Sequence, residues 1–335
     1  MQGHFWTVAP RLLPGRLATG LHDERWRGVV VDPERGAIPL DGWLSPGTDR
    51  RTVVVLVHGL GGSSQSPYLS GTAAACQAAG LATLRLGLRG SDGNAGDFYH
   101  AGLTADVAAA LASPELAAYS RVLLIGFSLG GHVALRYGTE PHDERLVAIA
   151  GVCAPLELQV AQRSFDRRVP AAWPYRVYIL GRLKRLYAEI AARGPVPTPP
   201  AEVNRVRTLR EWDRLTVVAR FGFTSPEDYY ARASVGPRLR QLAVPAMLVA
   251  TPHDPMVPEA SIAAAATAAG DALEVRWIPR GGHVGFPSSL DLGFDGARGL
   301  PGQLAAWARR AAAGDFSRRG MSETPRRAGL PAAAL

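Results

Sequence analysis

Short, unbroken apolar runs recur along the 335-residue chain, and they constrain its fold more than any other feature. Residues 51–57 read Arg-Thr-Val-Val-Val-Leu-Val, without the alternation of apolar and polar positions that marks a half-exposed strand. Such a run is typical of a parallel strand covered on both faces. The further predicted strands cover 28–31, 37–43, 82–86, 121–127, 146–152, 244–250 and 273–278, and helical patterns follow at 103–111 and 129–137. This alternation predicts an α/β fold with a mostly parallel, doubly wound sheet and right-handed crossovers.

The strand pattern stops between residues 155 and 237. This stretch is rich in aromatic residues and contains helix-like segments at 177–193 and 206–219. A helical insertion in a parallel sheet usually covers the site at the carboxyl ends of the strands. Strands then resume, and a last helix is predicted at 300–312. We therefore expect a lead-in at 1–27, a core at 28–154 and 238–313, a helical cap at 155–237 and a disordered tail at 314–335.

Composition excludes several classes of protein. No apolar run approaches the roughly 20 residues of a membrane span, and the first 20 residues lack a signal-peptide pattern. Cys76 and Cys153 show neither a disulfide framework nor metal-ligand spacing, so we expect free thiols and a cytoplasmic location.

The net charge is +8, yet Lys184 is the only lysine among the 37 basic residues, and basic residues do not interleave with aromatic ones in a nucleic-acid motif. We expect no nucleic-acid partner. The basic residues of the predicted helix 177–193 leave a weak contact with an anionic lipid surface open, although a solvated helix face explains them more simply. The oligomeric state is open as well.

A serine stands between a predicted strand and a predicted helix, in the pattern Gly126-Phe-Ser128-Leu-Gly130. A sharp strand-to-helix turn exposes the serine hydroxyl above the sheet and requires small neighbours, here Gly126 and Gly130. The pattern alone is weak, since a glycine-rich turn that packs a helix on a strand looks the same. Its position after a buried strand favours Ser128 as a nucleophile.

An acid and a base follow the last two predicted strands, in the order that this kind of fold requires. Asp254 comes after the strand at 244–250, and His283 lies in a glycine-flanked loop after the strand at 273–278. His253 adjoins Asp254 and is poorly placed to reach Ser128, and Asp271 precedes its strand and so lies at the wrong edge. We therefore predict a catalytic triad of Ser128, Asp254 and His283.

A third glycine-rich loop follows the strand at 51–57 and reads His58-Gly59-Leu60-Gly61-Gly62. Backbone amides in such a loop can stabilise an oxyanion, and glycines let a substrate approach. We expect the amides of Leu60 and Leu129 to be the donors. His58, Gly59 and Gly61 support the loop, and His58 is interpreted as its organiser rather than as a proton carrier.

These residues resemble the α/β-hydrolase superfamily and, within it, the YheT-like branch, to which ABHD1/ABHD3-type lipases and yeast medium-chain ester synthase/esterases are related. The resemblance covers about residues 25 to 312. It rests on the segments 58–68, 88–90, 98–100, 126–131, 208–213, 222–230, 254–255 and 281–286. It implies an α/β-hydrolase fold with an inserted cap, and a Ser–Asp–His triad on the same three residues.

The expected function is cleavage of carboxylic esters with an apolar acyl group, of short or medium chain or from lipids, through an acyl-enzyme on Ser128. This chemistry needs neither a metal nor an organic cofactor. Two alternatives stay open at this point: acyl transfer to an alcohol by the same triad, and a non-catalytic binding protein that keeps the fold.

Overall fold

The sheet of the protein contains eight strands within the residues that our computed structural model describes, namely 3–7, 22–93, 96–167, 170 and 173–315. The strands are β1 (Glu24–Asp32), β2 (Gly36–Ser45), β3 (Asp49–Val57), β4 (Leu81–Gly87), β5 (Arg121–Phe127), β6 (Leu146–Val152), β7 (Ala246–Ala250) and β8 (Leu273–Trp277). Their spatial order is β1-β2-β4-β3-β5-β6-β7-β8. β2 pairs antiparallel with β1 and β4, and all later pairs are parallel. The predicted mostly parallel α/β sheet is confirmed.

The strand predicted at 28–31 begins four residues earlier, at Glu24. Residues Glu24 to Arg27 pair with the end of β2. The Trp26 side chain is buried in the core. Charged residues flank Trp26 in the sequence, so the apolar pattern alone did not reveal this part of the strand.

Twelve helices accompany the sheet in the described part of the chain. They are α1 (3–7), α2 (Pro67–Ala78), α3 (Ala105–Leu111), α4 (Leu129–Tyr137), α5 (Leu158–Phe165), α6 (Trp173–Ala191), α7 (Pro200–Val203), α8 (Leu209–Asp213), α9 (Ala219–Phe221), α10 (Pro226–Ala233), α11 (Ala263–Ala269) and α12 (Leu300–Ala313). A π-helical turn, Arg214–Val218, joins α8 to α9. No helix within the described ranges is both long and apolar enough to cross a membrane.

Helix α2 was not predicted from the sequence. The helix consists mostly of alanines and small polar residues, so its buried face differs little in polarity from its exposed one. Short 3₁₀ turns also occur at Pro114–Leu116, Gly236–Gln241, Glu259–Ser261 and Gly270–Ala272. The tail predicted to be disordered lies outside the described residues, apart from Gly314 and Asp315.

The core forms one layer on each face of the sheet, which explains the unbroken apolar run. Val53, Val55 and Val57 of β3 pack into the layer that holds α3, α4 and the helices α5 to α10. Val54 and Leu56 point the other way, into the layer that holds α2 and α12. Because both faces of β3 are covered, every position from Val53 to Val57 is apolar and fully buried.

Helices α5 to α10 all lie between β6 and β7, in the interval where the strand pattern stops. Residues of α5, α6, α8 and α10 line one cavity together with residues that follow β3, β5 and β8. The inserted helices therefore cover the carboxyl ends of the parallel strands, where the predicted site residues lie.

Candidate active site

Ser128 stands at a strained turn between β5 and α4. Its φ of 53° and ψ of −121° are unusual for a residue with a side chain, and three backbone hydrogen bonds hold it there. Its N–H donates to the Val152 carbonyl oxygen (2.7 Å), and its own carbonyl accepts from the amides of Gly131 and His132 (3.0 and 3.1 Å). The strain is thus maintained by the neighbouring strand and the first turn of the helix.

The glycines around Ser128 are required by close backbone contacts. A Cβ on Gly126 would lie 2.1 Å from the Gly130 carbonyl oxygen, and one on Gly130 would lie 2.3 Å from the Val57 carbonyl oxygen. Neither gap admits a methyl group. The Gly-x-Ser-x-Gly pattern therefore has a steric cause in this fold.

Asp254 and His283 form a buried pair at the same edge of the sheet. His283 Nδ1 lies 2.9 Å from Asp254 Oδ2, and Asp254 Oδ1 accepts the amides of Met256 (2.8 Å) and Val257 (3.0 Å). A carboxylate beside Nδ1 favours the tautomer with the proton on that nitrogen, which leaves Nε2 free to accept one. The structure therefore brings together the acid and the base that the sequence indicated.

Ser128 and His283 line the same cavity, although no hydrogen bond joins Ser128 Oγ to His283 within the described residues. A loose serine–histidine contact is common in hydrolases without substrate, because it tightens only when the substrate is bound. The backbone amide of His283 donates to Thr7 Oγ1 (2.7 Å), so α1 fixes the histidine loop from outside the sheet.

The loop after β3 and the first turn of α4 present backbone amides near Ser128. Tyr68 Oη accepts from the Gly59 amide (3.0 Å), and Tyr99 Oη accepts from the Gly61 amide (2.7 Å). In the part of the chain that the structure describes, no hydrogen bond engages the N–H of Leu60 or of Leu129. These are the two amides predicted for the oxyanion.

His58 organises the loop after β3. It is fully buried, its Nε2 accepts from the Leu88 amide (3.2 Å), and its Nδ1 therefore donates to the Gly59 carbonyl oxygen (2.8 Å). Burial lowers the pKa of the imidazole, which keeps it neutral. With both nitrogens engaged, His58 is a structural member of the loop.

The Ser128 cavity, as we call the space that Ser128 and His283 line, has a volume of about 140 Å³. A cavity of roughly 150 Å³ holds a benzene ring, so the space suits a short or medium acyl group. Apolar side chains dominate its wall, among them Phe98, Phe165, Ile179, Leu183, Leu186, Trp212, Val217 and Met256.

Four further polar side chains that line this cavity were not predicted as site residues from the sequence. His100 and Asp213 line the cavity, as do Tyr68 and Tyr99, and burial lowers the pKa of His100 to about 3. All four occur in the segments that carry the family resemblance. Only the resemblance could have marked these four residues as candidates, because their spacing along the chain does not show that they line the same cavity.

Cys153 lies next to the Asp254–His283 pair, and the ligand atoms of the three residues lie within 4.8 Å of one another. Such a set could in principle hold a metal. However, the Asp254 carboxylate already pairs with His283, and burial raises the pKa of the Cys153 thiol well above its ordinary value. The cluster therefore fits an Asp–His pair beside a protonated thiol. Cys76 and Cys153 are both free and buried.

A mostly parallel sheet with a strained serine after a central strand, and an Asp–His pair at the same edge, defines the class of α/β hydrolases. The chain belongs to the alpha/beta hydrolase family, whose sequence model matches residues 54–292.

The resemblance to the YheT-like branch is confirmed as well. The chain is 29% identical to "Putative esterase YheT" of Escherichia coli over 240 residues, which is 70% of each protein. It is also 24% identical to the monoacylglycerol lipase ABHD2 of Bos taurus over 181 residues, which is 50% of this chain and 43% of that protein.

Solved structures share the fold. An esterase of Pyrococcus furiosus, Pf2001, superposes with a TM-score of 0.52 at 16% identity, covering 82% of this chain and 87% of its own. A membrane phospholipase A described as a bacterial virulence factor gives a TM-score of 0.53 at 18% identity, covering 92% and 90%. At these identities the likeness supports the fold alone.

Proposed function

We propose that this protein is a serine hydrolase that cleaves carboxylic esters of short or medium acyl chains through an acyl-enzyme on Ser128. The observation that carries the proposal is the placement of Ser128 and the Asp254–His283 pair around one apolar cavity. Relatives described as an esterase and as monoacylglycerol lipases support a carboxylic ester as the substrate.

In the proposed first step, His283 Nε2 takes the proton of the Ser128 hydroxyl while Oγ attacks the ester carbonyl carbon. The carbonyl oxygen gains negative charge, and the amides of Leu60 and Leu129 donate hydrogen bonds to it. Asp254 holds the imidazole through Nδ1 and stabilises its positive charge. The imidazolium then gives its proton to the departing alkoxide, which leaves as the alcohol.

The second step is the reverse sequence with water. His283 takes a proton from water, the resulting hydroxide attacks the acyl carbon, and the carboxylic acid leaves as Ser128 recovers its proton. Acyl transfer uses the same intermediate, with an alcohol in place of water. We propose water as the main acceptor of the acyl group. Measuring the ethyl ester and the free acid formed when ethanol is added during turnover shows how the acyl-enzyme partitions between the two acceptors.

The test is labelling by a fluorophosphonate probe together with hydrolysis of p-nitrophenyl esters from C2 to C12. Wild type should be labelled and should hydrolyse short or medium esters, whereas Ser128→Ala should lose labelling and at least about 10³-fold of its activity. Ser164→Ala is the matched control, because Ser164 lies on α5 outside the residues that line the cavity. An unlabelled wild type contradicts the proposal and favours a binding protein. Equal labelling of Ser128→Ala also contradicts it, because the probe would then react with another residue.

The lipid contact and the cytoplasmic location stay predictions. On α6, Arg182 Nε donates to the Gly61 carbonyl oxygen, and Lys184 Nζ donates to the carbonyls of Asn204 and Val206. Both cationic groups therefore bind the protein's own backbone. Trp173 and Val177 of the same helix are exposed.

A further inference from the structure

One buried acid in the wall of the Ser128 cavity has no part in the proposed hydrolysis. Asp213 ends α8, is 6% exposed, and lines the cavity. Tyr230 of α10 donates its hydroxyl to Asp213 Oδ2 at 2.6 Å. The pair therefore joins two inserted helices and places a carboxyl group in a wall that is otherwise mostly apolar.

The second oxygen of this carboxyl group is not used within the part of the protein that the structure describes. In the described ranges no hydrogen bond reaches Asp213 Oδ1. The polar side-chain atoms that are both sealed from solvent and without a partner lie on Thr52, Thr83, Arg85 and Arg136. Asp213 Oδ1 is not one of them. Because Oδ1 is neither paired nor sealed, it is open to a molecule that occupies the cavity.

No cation balances this acid among the described residues. Burial raises the pKa of Asp213 to about 8, and the negative charge of Asp166 adds to the rise, against the bond from Tyr230. Near neutral pH the carboxyl therefore keeps its proton. A neutral carboxyl group can both donate and accept a hydrogen bond, as a hydroxyl group can.

We propose that Asp213, held by Tyr230, binds a hydroxyl group on the acyl chain, so that the cavity selects hydroxyacyl esters over plain alkyl esters. The proposal rests on the proposed ester hydrolysis and names the substrate class for it. A plain alkyl chain would desolvate Oδ1 without giving it a partner, which is unfavourable. An alkylammonium group would lose its hydration beside an uncharged acid, so we expect it to be rejected.

The test uses p-nitrophenyl hexanoate, octanoate and decanoate, each compared with its ω-hydroxy counterpart, and 6-aminohexanoate as the cationic ester, all at pH 7. At the chain length that reaches Asp213, wild type should show a kcat/KM about five- to tenfold higher for the hydroxy ester. Asp213→Leu should remove or reverse that preference while it still hydrolyses the plain ester. Asp213→Asn should keep much of the preference, because its amide also donates and accepts.

Ser164→Ala is the matched control, because Ser164 lies on α5 and is not among the residues that line the cavity. Its hydroxyl preference should equal that of wild type. Equal rates for plain and hydroxy esters at every length overturn the proposal, and so does a preference for the amino ester or a preference that survives in Asp213→Leu. Wild-type hydrolysis of plain esters in the same series shows separately whether the proposed function holds.

Discussion

Two tyrosine hydroxyls hold the loop that presents the proposed oxyanion amides. Tyr68 and Tyr99 accept the amides on either side of Leu60, so the Leu60 N–H is the one left to face the cavity. Tyr99 is buried, and burial raises the pKa of its phenol, which keeps the hydroxyl protonated. These tyrosines are positioning residues, because their hydroxyls act on the proposed oxyanion through the backbone amides that they bind.

Replacing Tyr99 by Phe removes the acceptor of the Gly61 amide, so the loop loses its fixed orientation. We expect kcat for p-nitrophenyl butyrate to fall about tenfold, with little change in KM. The reason is that a displaced loop stabilises the oxyanion of the transition state less well but leaves binding of the substrate nearly unchanged. Tyr187→Phe is the matched control, since its hydroxyl binds the Thr198 backbone away from the cavity. Equal losses of kcat in both variants would show a general effect on stability instead.

The buried acid Asp213 makes stability depend on pH. Its pKa is about 8 in the folded protein against an ordinary value of 3.8, so the unfolded chain releases a proton that the folded protein retains. The folded state therefore binds more protons between these two values, and the free energy of unfolding falls as pH rises through the window.

Asp213→Asn removes this titration. We expect the variant to gain stability relative to wild type from pH 5 to pH 8, by a few kcal/mol at the upper end, and the gain to level off above that. Urea unfolding of both proteins at pH 5, 6.5 and 8 measures the difference. A difference that does not change with pH would mean that Asp213 is already ionised in the folded state.

At the scale of elements, a buried ion-pair network joins the inserted helices to the core. Arg220 of α9 pairs with Asp32 at the end of β1 (2.8 Å) and with Asp97 in the loop after β4 (3.1 Å). Arg89 pairs with the same two aspartates and with Asp106 of α3 (2.7 Å). Because both arginines share the two buried aspartates, α9 is held to the sheet through charges that water screens only weakly.

Arg220→Met breaks this network from one side and leaves two buried carboxylates with fewer partners. We expect a loss of about 3–5 kcal/mol in the free energy of unfolding by urea, because the remaining charges stay buried. Arg210→Met is the comparison, since the Arg210–Glu227 pair lies at the surface with both side chains nearly half exposed. It should change stability little. Similar losses in both variants would contradict the role assigned to the network.

At the scale of the whole molecule, α1 contacts two distant parts of the chain at the site. Thr7 Oγ1 accepts the His283 amide, although the two residues are 276 positions apart, and His4 Nδ1 contacts the Tyr175 hydroxyl of α6 (3.0 Å). The short helix thus touches both the histidine loop and the inserted helices. Residues 3–7 belong to the lead-in predicted at 1–27, and nothing in their sequence indicated a role for Thr7.

Thr7→Val keeps the shape of the side chain and removes the acceptor of the His283 amide. We expect kcat/KM for a short ester to fall about tenfold, because a buried amide left unpaired displaces the loop that holds the histidine. Thr7→Ser keeps the hydroxyl and should retain most of the activity. If Ser and Val variants behave alike, the hydroxyl does not position His283.

The sequence by itself determined the sheet and the order of the proposed site residues. Strands β5 and β6 and helix α4 begin and end where predicted, since unbroken apolar runs are required when both faces of a strand are buried. Ser128, Asp254 and His283 could be chosen because each follows a strand, and parallel strands bring their carboxyl ends to one edge. Local pattern and the geometry of a parallel sheet were sufficient for these inferences.

Only the tertiary structure decided which distant polar groups meet. Nothing near Asp213 in sequence indicates that it faces the Ser128 cavity with Tyr230, or that Thr7 supports His283. These contacts depend on how the inserted helices and α1 lie against the sheet, and that placement comes from packing between segments far apart in the chain. Burial also set the pKa values of Asp213 and His100, since desolvation belongs to the folded surroundings and is not encoded in neighbouring residues.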